Sequence, residues 1–333
     1  MSEVPNGVHK PRAARGDGTP QASGEERGEG PPRLINDSHC HFFSEQFFAT
    51  LGRQRPPGPK QSVEEVLSDL EWDAPGSPED LADRWVQELE RHGVGRAALI
   101  ASVPGDEASV GRAVSRHPTR FVGFAMIDPT AADAATRTTT ALGLVLRCIC
   151  LFPAMQRYSL RDPRVTEIVE IVGRHSGTAV FVHCGALSVG VRKKLGLASR
   201  FDVRHGNPLD VHALAADHPH VPFIIPHFGA GLLHETLILA DLCANVYLDT
   251  SSTNRWVAYH PSLTLAGVFR QALQVVGPER LLFGSDSSFF PRGWNAQIHA
   301  AQVSALDAEG VDEGMRRRIF ADNFARLFPV LPL

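Results

Sequence analysis

The sequence predicts an α/β fold, a (β/α)8 barrel with an elaborated loop after its first strand. Short apolar, β-branched runs alternate with amphipathic stretches from Leu34 almost to the C-terminus. Several of these runs are apolar on both faces, as strands of a buried parallel sheet are. The 333 residues also suit one barrel of this kind.

Residues 1–33 are rich in Gly, Pro and charge and nearly free of large apolar side chains. Such a segment cannot bury enough surface to offset its ordering entropy, so it is expected to be a disordered extension, with the barrel occupying 34–333. The first strand starts in LIND and runs into NDSHCHFF. The stretch from Phe42 to Ser77 is long for one connection and reads as the elaborated loop, with a short helix around Ser62 to Leu70. Ser77 as N-cap and Pro78 at the first helical position open a helix that stops near Gly93. Another runs from Asp162, with Pro163 in its first turn, to a terminating Gly177. Further strand candidates lie at 97–103, 121–127, 144–152, 179–184, 222–228, 245–250 and 280–286. An open doubly wound sheet is the alternative. No G-x-G-x-x-G follows the first strand, so its dinucleotide-binding version has no support.

The chain is 43% apolar and 21% charged, enough for a large core. Its net charge is −4 and no basic stripe interrupts it, which argues against a nucleic-acid partner. Five cysteines, Cys40, Cys148, Cys150, Cys184 and Cys243, follow no disulfide framework and read as buried thiols in a reducing compartment. No apolar run reaches the length of a membrane span, and the first residues lack the apolar core of a signal peptide. The expectation is a cytoplasmic protein with neither membrane nor nucleic-acid partner, acting on a small molecule.

In a chain with 15 histidines a His-x-His pair arises by chance about once. This one has two, His39/His41 and His218/His220. Position separates them. In a barrel the C-terminal strand ends face the active site. There the first strand delivers His39 and His41, the fifth His183, the sixth His227 and the eighth Asp286. Residues two apart on a strand share a face, so both members of the first pair can point into the mouth. Imidazoles and a carboxylate converging there suit one divalent ion, zinc ahead of manganese. His218 and His220 precede the sixth strand, at the opposite barrel end and beside prolines, and read as surface residues. Cys150 reads as a buried strand thiol, with a thiolate ligand as the alternative. Asp37 either braces a group behind the ligands or closes a hydrogen bond at the lower end of its strand.

The stretches NDSHCHFF, LFPAMQRYSLRDPRV, VFVHCGAL, FIIPHFGAGLLHE, NVYLDTSS, PERLLFGSDSSFFPRGW and NFARLF together resemble the amidohydrolase-related proteins of the amidohydrolase superfamily. That branch includes aminocarboxymuconate-semialdehyde decarboxylase and related decarboxylases, lactonases and hydrolases. The resemblance implies His39, His41, His183 and Asp286 as metal ligands, with Asp286 also accepting a proton and His227 acting as acid or base on the metal-bound water. One departure stands out. Many relatives carry Lys and His in the fourth-strand run, where this chain has Cys150 and Phe152. The only lysines are Lys10, Lys60, Lys193 and Lys194, none in a strand candidate, so no lysine carbamate can bridge two ions and a mononuclear site is expected.

The leading functional expectation is hydrolysis of an amide, lactone or ester by metal-bound hydroxide; the runner-up is non-oxidative decarboxylation of a small unsaturated or aromatic acid. Arg157, Arg255 and Arg292 follow strands four, seven and eight and favour an anionic substrate if they face the mouth. Phe42, Met155, Trp256, Phe289 and Trp294 lie on the same loops as walls for a ring. A non-catalytic barrel that binds a small molecule or a partner is the third reading. The resemblance also brings a homodimer into view.

Overall fold

The computed structural model describes residues 35–54 and 61–330. The expected disorder of 1–33 lies outside the described residues. Eight parallel strands follow one another around the sheet in sequence order: β1 (Ile35–Phe42), β2 (Val94–Ala101), β3 (Phe121–Met126), β4 (Cys148–Leu151), β5 (Ala179–Val182), β6 (Phe223–Ile225), β7 (Val246–Asp249) and β8 (Leu281–Leu282). The end of the chain's last strand returns to the first. Ser38 N–H donates to Phe283 O at 2.8 Å, Asp286 N–H to His39 O at 2.9 Å and His41 N–H to Ser287 O at 2.7 Å. Helices surround the sheet, so the fold is the expected (β/α)8 barrel.

Local chemistry explains most helix starts. Ser62 and Ser77 each form a reciprocal capping box, with Glu65 and Asp80, and open helices Val63–Leu70 and Pro78–Arg91. Asp162 caps Pro163–Gly173, which ends a turn before the expected Gly177. A helix at Glu45–Arg53, capped by Ser44, has no counterpart among the expected elements. Two strands are shorter than their apolar runs. In the run 144–152, Leu144 caps the preceding helix and Val145 turns left-handed at φ 61°, so extended chain starts only at Cys148. In the run 280–286 the regular ladder covers only Leu281–Leu282, and the backbone turns left-handed at Asp286, φ 57°.

Alternation along the strands builds two apolar layers. Inward residues such as Ile100, Phe124, Cys148, Cys150 and Phe181 fill the barrel, and Phe324 and Phe328 close it from below. Outward residues such as Leu99, Ile149, Val180 and Val182 meet the helices. A third cluster joins Phe47, Phe48 and Leu67 of the first loop to Val191 and Leu195 of the loop after β5, forming a cap beside the mouth. Among the described residues, no helix is long and apolar enough to cross a membrane.

Candidate metal centre

The centre begins with β1. His39 and His41 line the cavity at the barrel mouth, as Phe43 does. Cys40 and Phe42 point the other way, into the outer core. Phe42 is fully buried there, so the expectation that it walls the substrate pocket is corrected. Period-two alternation gives that wall position to Phe43.

Hydrogen bonds fix which nitrogen of each ring faces the cavity. His39 Nδ1 lies 2.7 Å from Asp249 Oδ2. A carboxylate only accepts, so Nδ1 carries the proton. Ser102 donates its hydroxyl proton to Ile100 O at 3.0 Å, so it accepts from His41 Nδ1 at 2.8 Å. In the neutral rings both Nε2 atoms therefore present lone pairs. They face Asp286 Oδ1 at 3.7 Å from His39 and 3.2 Å from His41. Three acceptors pointed at one another is an arrangement that a cation resolves. Ligands held about 2.0–2.2 Å from a shared ion at tetrahedral angles stand about 3.3–3.6 Å apart, close to these separations. The donor set thus fits a divalent ion.

Electrostatics agree. Burial opposes the charged form of Asp286, but the His41 hydrogen bond and the charges of His39, His41 and His227 outweigh it and hold the carboxyl well below its ordinary range. Burial also lowers the pKa of His41. In His39 burial pulls the same way, yet Asp249, Asp286 and Asp37 outweigh it and raise the value.

His183 and His227 complete the ring of imidazoles. After β6, His227 and Phe228 both take left-handed backbone, φ 55° and 51°, and this tight turn leaves His227 on the cavity. Its Nδ1 lies 3.2 Å from Ser251 O and 2.9 Å from Ser251 Oγ, so its proton goes to Ser251. Gly185, after β5, sits against this turn, and a Cβ there would lie 2.0 Å from Gly229 O. His183 is buried, lines the same cavity, and its Nδ1 has no hydrogen-bond partner among the described residues. Its ring centroid is 5.2 Å from that of His227. Burial first, then the neighbouring His227 and His39 charges, holds His183 below the ordinary histidine pKa, and burial with the His39 charge does the same for His227. Two groups of three ligand atoms lie within 4.8 Å of one another among the described residues: His39, His41 and Asp286, and His39, His227 and Asp249. The second is already joined by hydrogen bonds through Asp249 and Ser251. His183 belongs to neither and stands farther off.

A family model described as "Amidohydrolase" matches residues 37–330. The chain belongs to the amidohydrolase family. A stretch of 85 residues is 32% identical to Protein fluG of Emericella nidulans; it covers 26% of this chain and only 10% of that protein. Two solved structures share the fold. One is a probable 2-pyrone-4,6-dicarboxylic acid hydrolase from Acinetobacter baumannii with citric acid bound, 14% identical, covering 88% of this chain and 98% of that one at a TM-score of 0.58. The other is a form of 5-carboxyvanillate decarboxylase from Novosphingobium aromaticivorans with bound manganese and 3-methoxy-4-hydroxy-5-nitrobenzoic acid, 15% identical, covering 90% and 97% at a TM-score of 0.59.

In this amidohydrolase the cavity above the imidazoles measures about 630 Å³. Arg255, Arg292, Met155 and Trp256 line it, and so do Phe289 and Lys194. Arg292 donates to Asp286 O at 3.2 Å and to Ser288 Oγ at 2.9 Å, and lies over the Phe289 ring at 4.5 Å. Phe289 stacks on Trp72 of the first loop at 3.8 Å. Two expected rim residues lie elsewhere. Trp294 is buried beneath the site, where its Nε1–H donates to Asp37 Oδ2 at 2.7 Å. Arg157 faces a separate depression, because the short helix Pro153–Gln156 ends in its left-handed backbone and turns the chain away from the mouth. Asp37 takes the bracing role: its Oδ1 accepts from His39 N at 2.9 Å and Ser285 N at 3.0 Å, tying the first strand to the last. Cys150 is fully buried in the barrel interior below the cavity. His218 and His220 lie at the turn before β6, far from the strand ends that form the mouth.

Asp249, Ser102 and Ser251 were not among the expected site residues. The rule that singled out the other strand ends also reaches Asp249, which ends β7, and Ser102, which follows β2. Trp72 lies on the first loop and Lys194 in the short helix Gly190–Lys194, and neither carries such a signal.

Proposed function

We propose that this chain is a hydrolase that uses one divalent metal ion to open a lactone, ester or amide bond in a small, anionic cyclic substrate. The observation that carries this reading is the convergence of His39 Nε2, His41 Nε2 and Asp286 Oδ1 on one point of the cavity floor, with both Nδ1 protons already engaged. His39, His41 and Asp286 would hold the ion, and His183, whose Nδ1 has no hydrogen-bond partner among the described residues, would complete the set. Imidazole-rich donors suit zinc, with manganese second. When bound, the ion supplies Lewis acidity, which polarises a substrate oxygen and makes a water acidic near neutral pH. Among the described lysines, Lys193 and Lys194 sit in the helix Gly190–Lys194 rather than in a strand, which supports a mononuclear site.

The remaining steps belong to the chain's own residues. Ser251 holds the Nδ1 proton of His227, so Nε2 is a base that can take the proton of the attacking water. Asp286 is ionised and can share that proton. Arg292 and Arg255 attract an anionic substrate, and Phe43, Trp72 and Phe289 offer flat faces for a ring. Non-oxidative decarboxylation of the same class of acid is the second reading. It needs a protonated group to deliver a proton to carbon, whereas hydrolysis uses neutral His227 as it stands.

The test is a panel of cyclic lactones, esters, amides and unsaturated or aromatic carboxylic acids, incubated with the metal-loaded protein and followed by mass spectrometry. Gain of one water supports the hydrolase. Loss of carbon dioxide moves the assignment to the decarboxylase. For a substrate found, His227→Asn is expected to lower kcat by about 10²–10⁴-fold with metal content unchanged; unchanged kcat would remove His227 from the chemistry.

A further inference from the structure

We propose that Arg157, Arg192 and Arg200 form a second binding site, outside the catalytic cavity, for a small dianion carried on an apolar body. The three guanidinium groups line a depression whose apolar surface comes from Met155, Leu197 and Phe201. Met155 also lines the catalytic cavity, so the two spaces share that residue. Among the described residues lining the depression there is no carboxylate. Composition does not explain this, because Asp and Glu outnumber Lys and Arg 37 to 33 in the chain.

Pairing sets these arginines apart from their neighbours. Arg161, Arg164 and Arg204, a few residues away in the chain, each bond a carboxylate: Asp210, Asp162 and Asp202. The guanidinium groups of Arg157 and Arg200 have no such partner among the described residues. Arg192 is held in place by Gln54 Oε1 and by Ala198 O at 2.6 Å, while its Nε–H is buried with no acceptor among the described residues. One guanidinium is therefore fixed by two bonds that leave further N–H donors on its Nη atoms, and two others line the same depression with no carboxylate partner among the described residues. Planar N–H forks of this kind match the oxygens of a phosphate monoester or of paired carboxylates, and the apolar floor gives the rest of the ligand a surface. The site does not depend on the metal reading.

Calorimetric titration of the full chain tests it, with phenyl phosphate as probe and with phthalate and inorganic phosphate for comparison. Phenyl phosphate or phthalate is expected to bind more tightly than inorganic phosphate; whichever is tighter names the source of the dianion. Arg157→Ala/Arg200→Ala is expected to weaken binding by at least about tenfold, and Arg292→Ala to leave it unchanged. Arg157→Lys/Arg200→Lys, which keeps the charge but not the fork, should recover part of the loss, with melting temperatures of all variants as the control on folding. Binding that survives the double alanine variant, that disappears in Arg292→Ala, or that is absent at about 10 mM probe would overturn the proposal.

Discussion

Asp249 decides which nitrogen of His39 faces the cavity. Its Oδ2 takes the Nδ1 proton at 2.7 Å, and both groups are buried, so no water competes for that bond. A carboxylate in this position fixes the tautomer and raises the basicity of the ring. Asp249→Asn removes the charge and keeps the shape. Metal affinity is expected to fall about 10–100-fold, read by competition with a chromophoric chelator. Equal affinity in the variant would mean that His39 is oriented by Ser251 alone. Gly284 shows how tightly the same place is packed. A Cβ there would lie 2.7 Å from Ser251 Cβ, 2.8 Å from Asp249 Oδ1 and 2.9 Å from His39 Cβ. Gly284→Ala is therefore expected to cost about 1–3 kcal/mol in urea denaturation and to weaken metal binding with it; an unchanged denaturation midpoint would show that the strands around Gly284 yield freely.

At the scale of elements, the loop after β1 is tied down by a bond between two helix starts. Ser44 caps the helix Glu45–Arg53, and its hydroxyl donates to Asp106 Oδ2 at 2.6 Å, at the start of the helix Glu107–Arg116. Asp106 is fully buried, and burial pushes its carboxyl up to about 6. The folded state therefore holds a proton that the unfolded chain, with a carboxyl near 3.8, has already released. Stability from this group falls as pH rises between about 4 and 6, and the cost of the buried charge is complete above that window. Asp106→Asn removes the cost. Relative to the wild type it is expected to gain on the order of 1–3 kcal/mol on going from about pH 4 to about pH 7.5, measured by urea denaturation at both. A difference independent of pH would show that the Asp106 carboxyl is not raised.

For the whole molecule, an ion bound between the first and last strands would join the ends of the barrel. Binding to the folded state alone stabilises by RT ln(1 + [L]/Kd), about 2.7 kcal/mol at 100 times Kd. Zinc or manganese is expected to raise the melting temperature by several degrees, reversibly with chelator, and to have no effect on His39→Ala. The rise should shrink as pH falls, because protons compete for the imidazoles. A wild-type melting temperature indifferent to both ions would count against the metal centre. The barrel order needs no such closure to be legible: strands buried on both faces leave continuous apolar runs, and the caps at Ser62, Ser77 and Asp162 act over a few residues.

Local pattern alone therefore settles the order of the strands and marks His39, His41, His183, His227 and Asp286 as strand-end groups. It also contains Asp249 and the outward face of Phe42, through strand ends and period-two alternation. Partnership is a different matter. His39 and Asp249 are 210 residues apart, and Trp294 and Asp37 are 257 apart. Nothing local says that an indole on the last loop will bond a carboxylate on the first strand rather than face substrate. Arg157 depends in the same way on where one short helix turns the chain. Periodicity reports which face of an element is buried; only the closed barrel decides what that face meets.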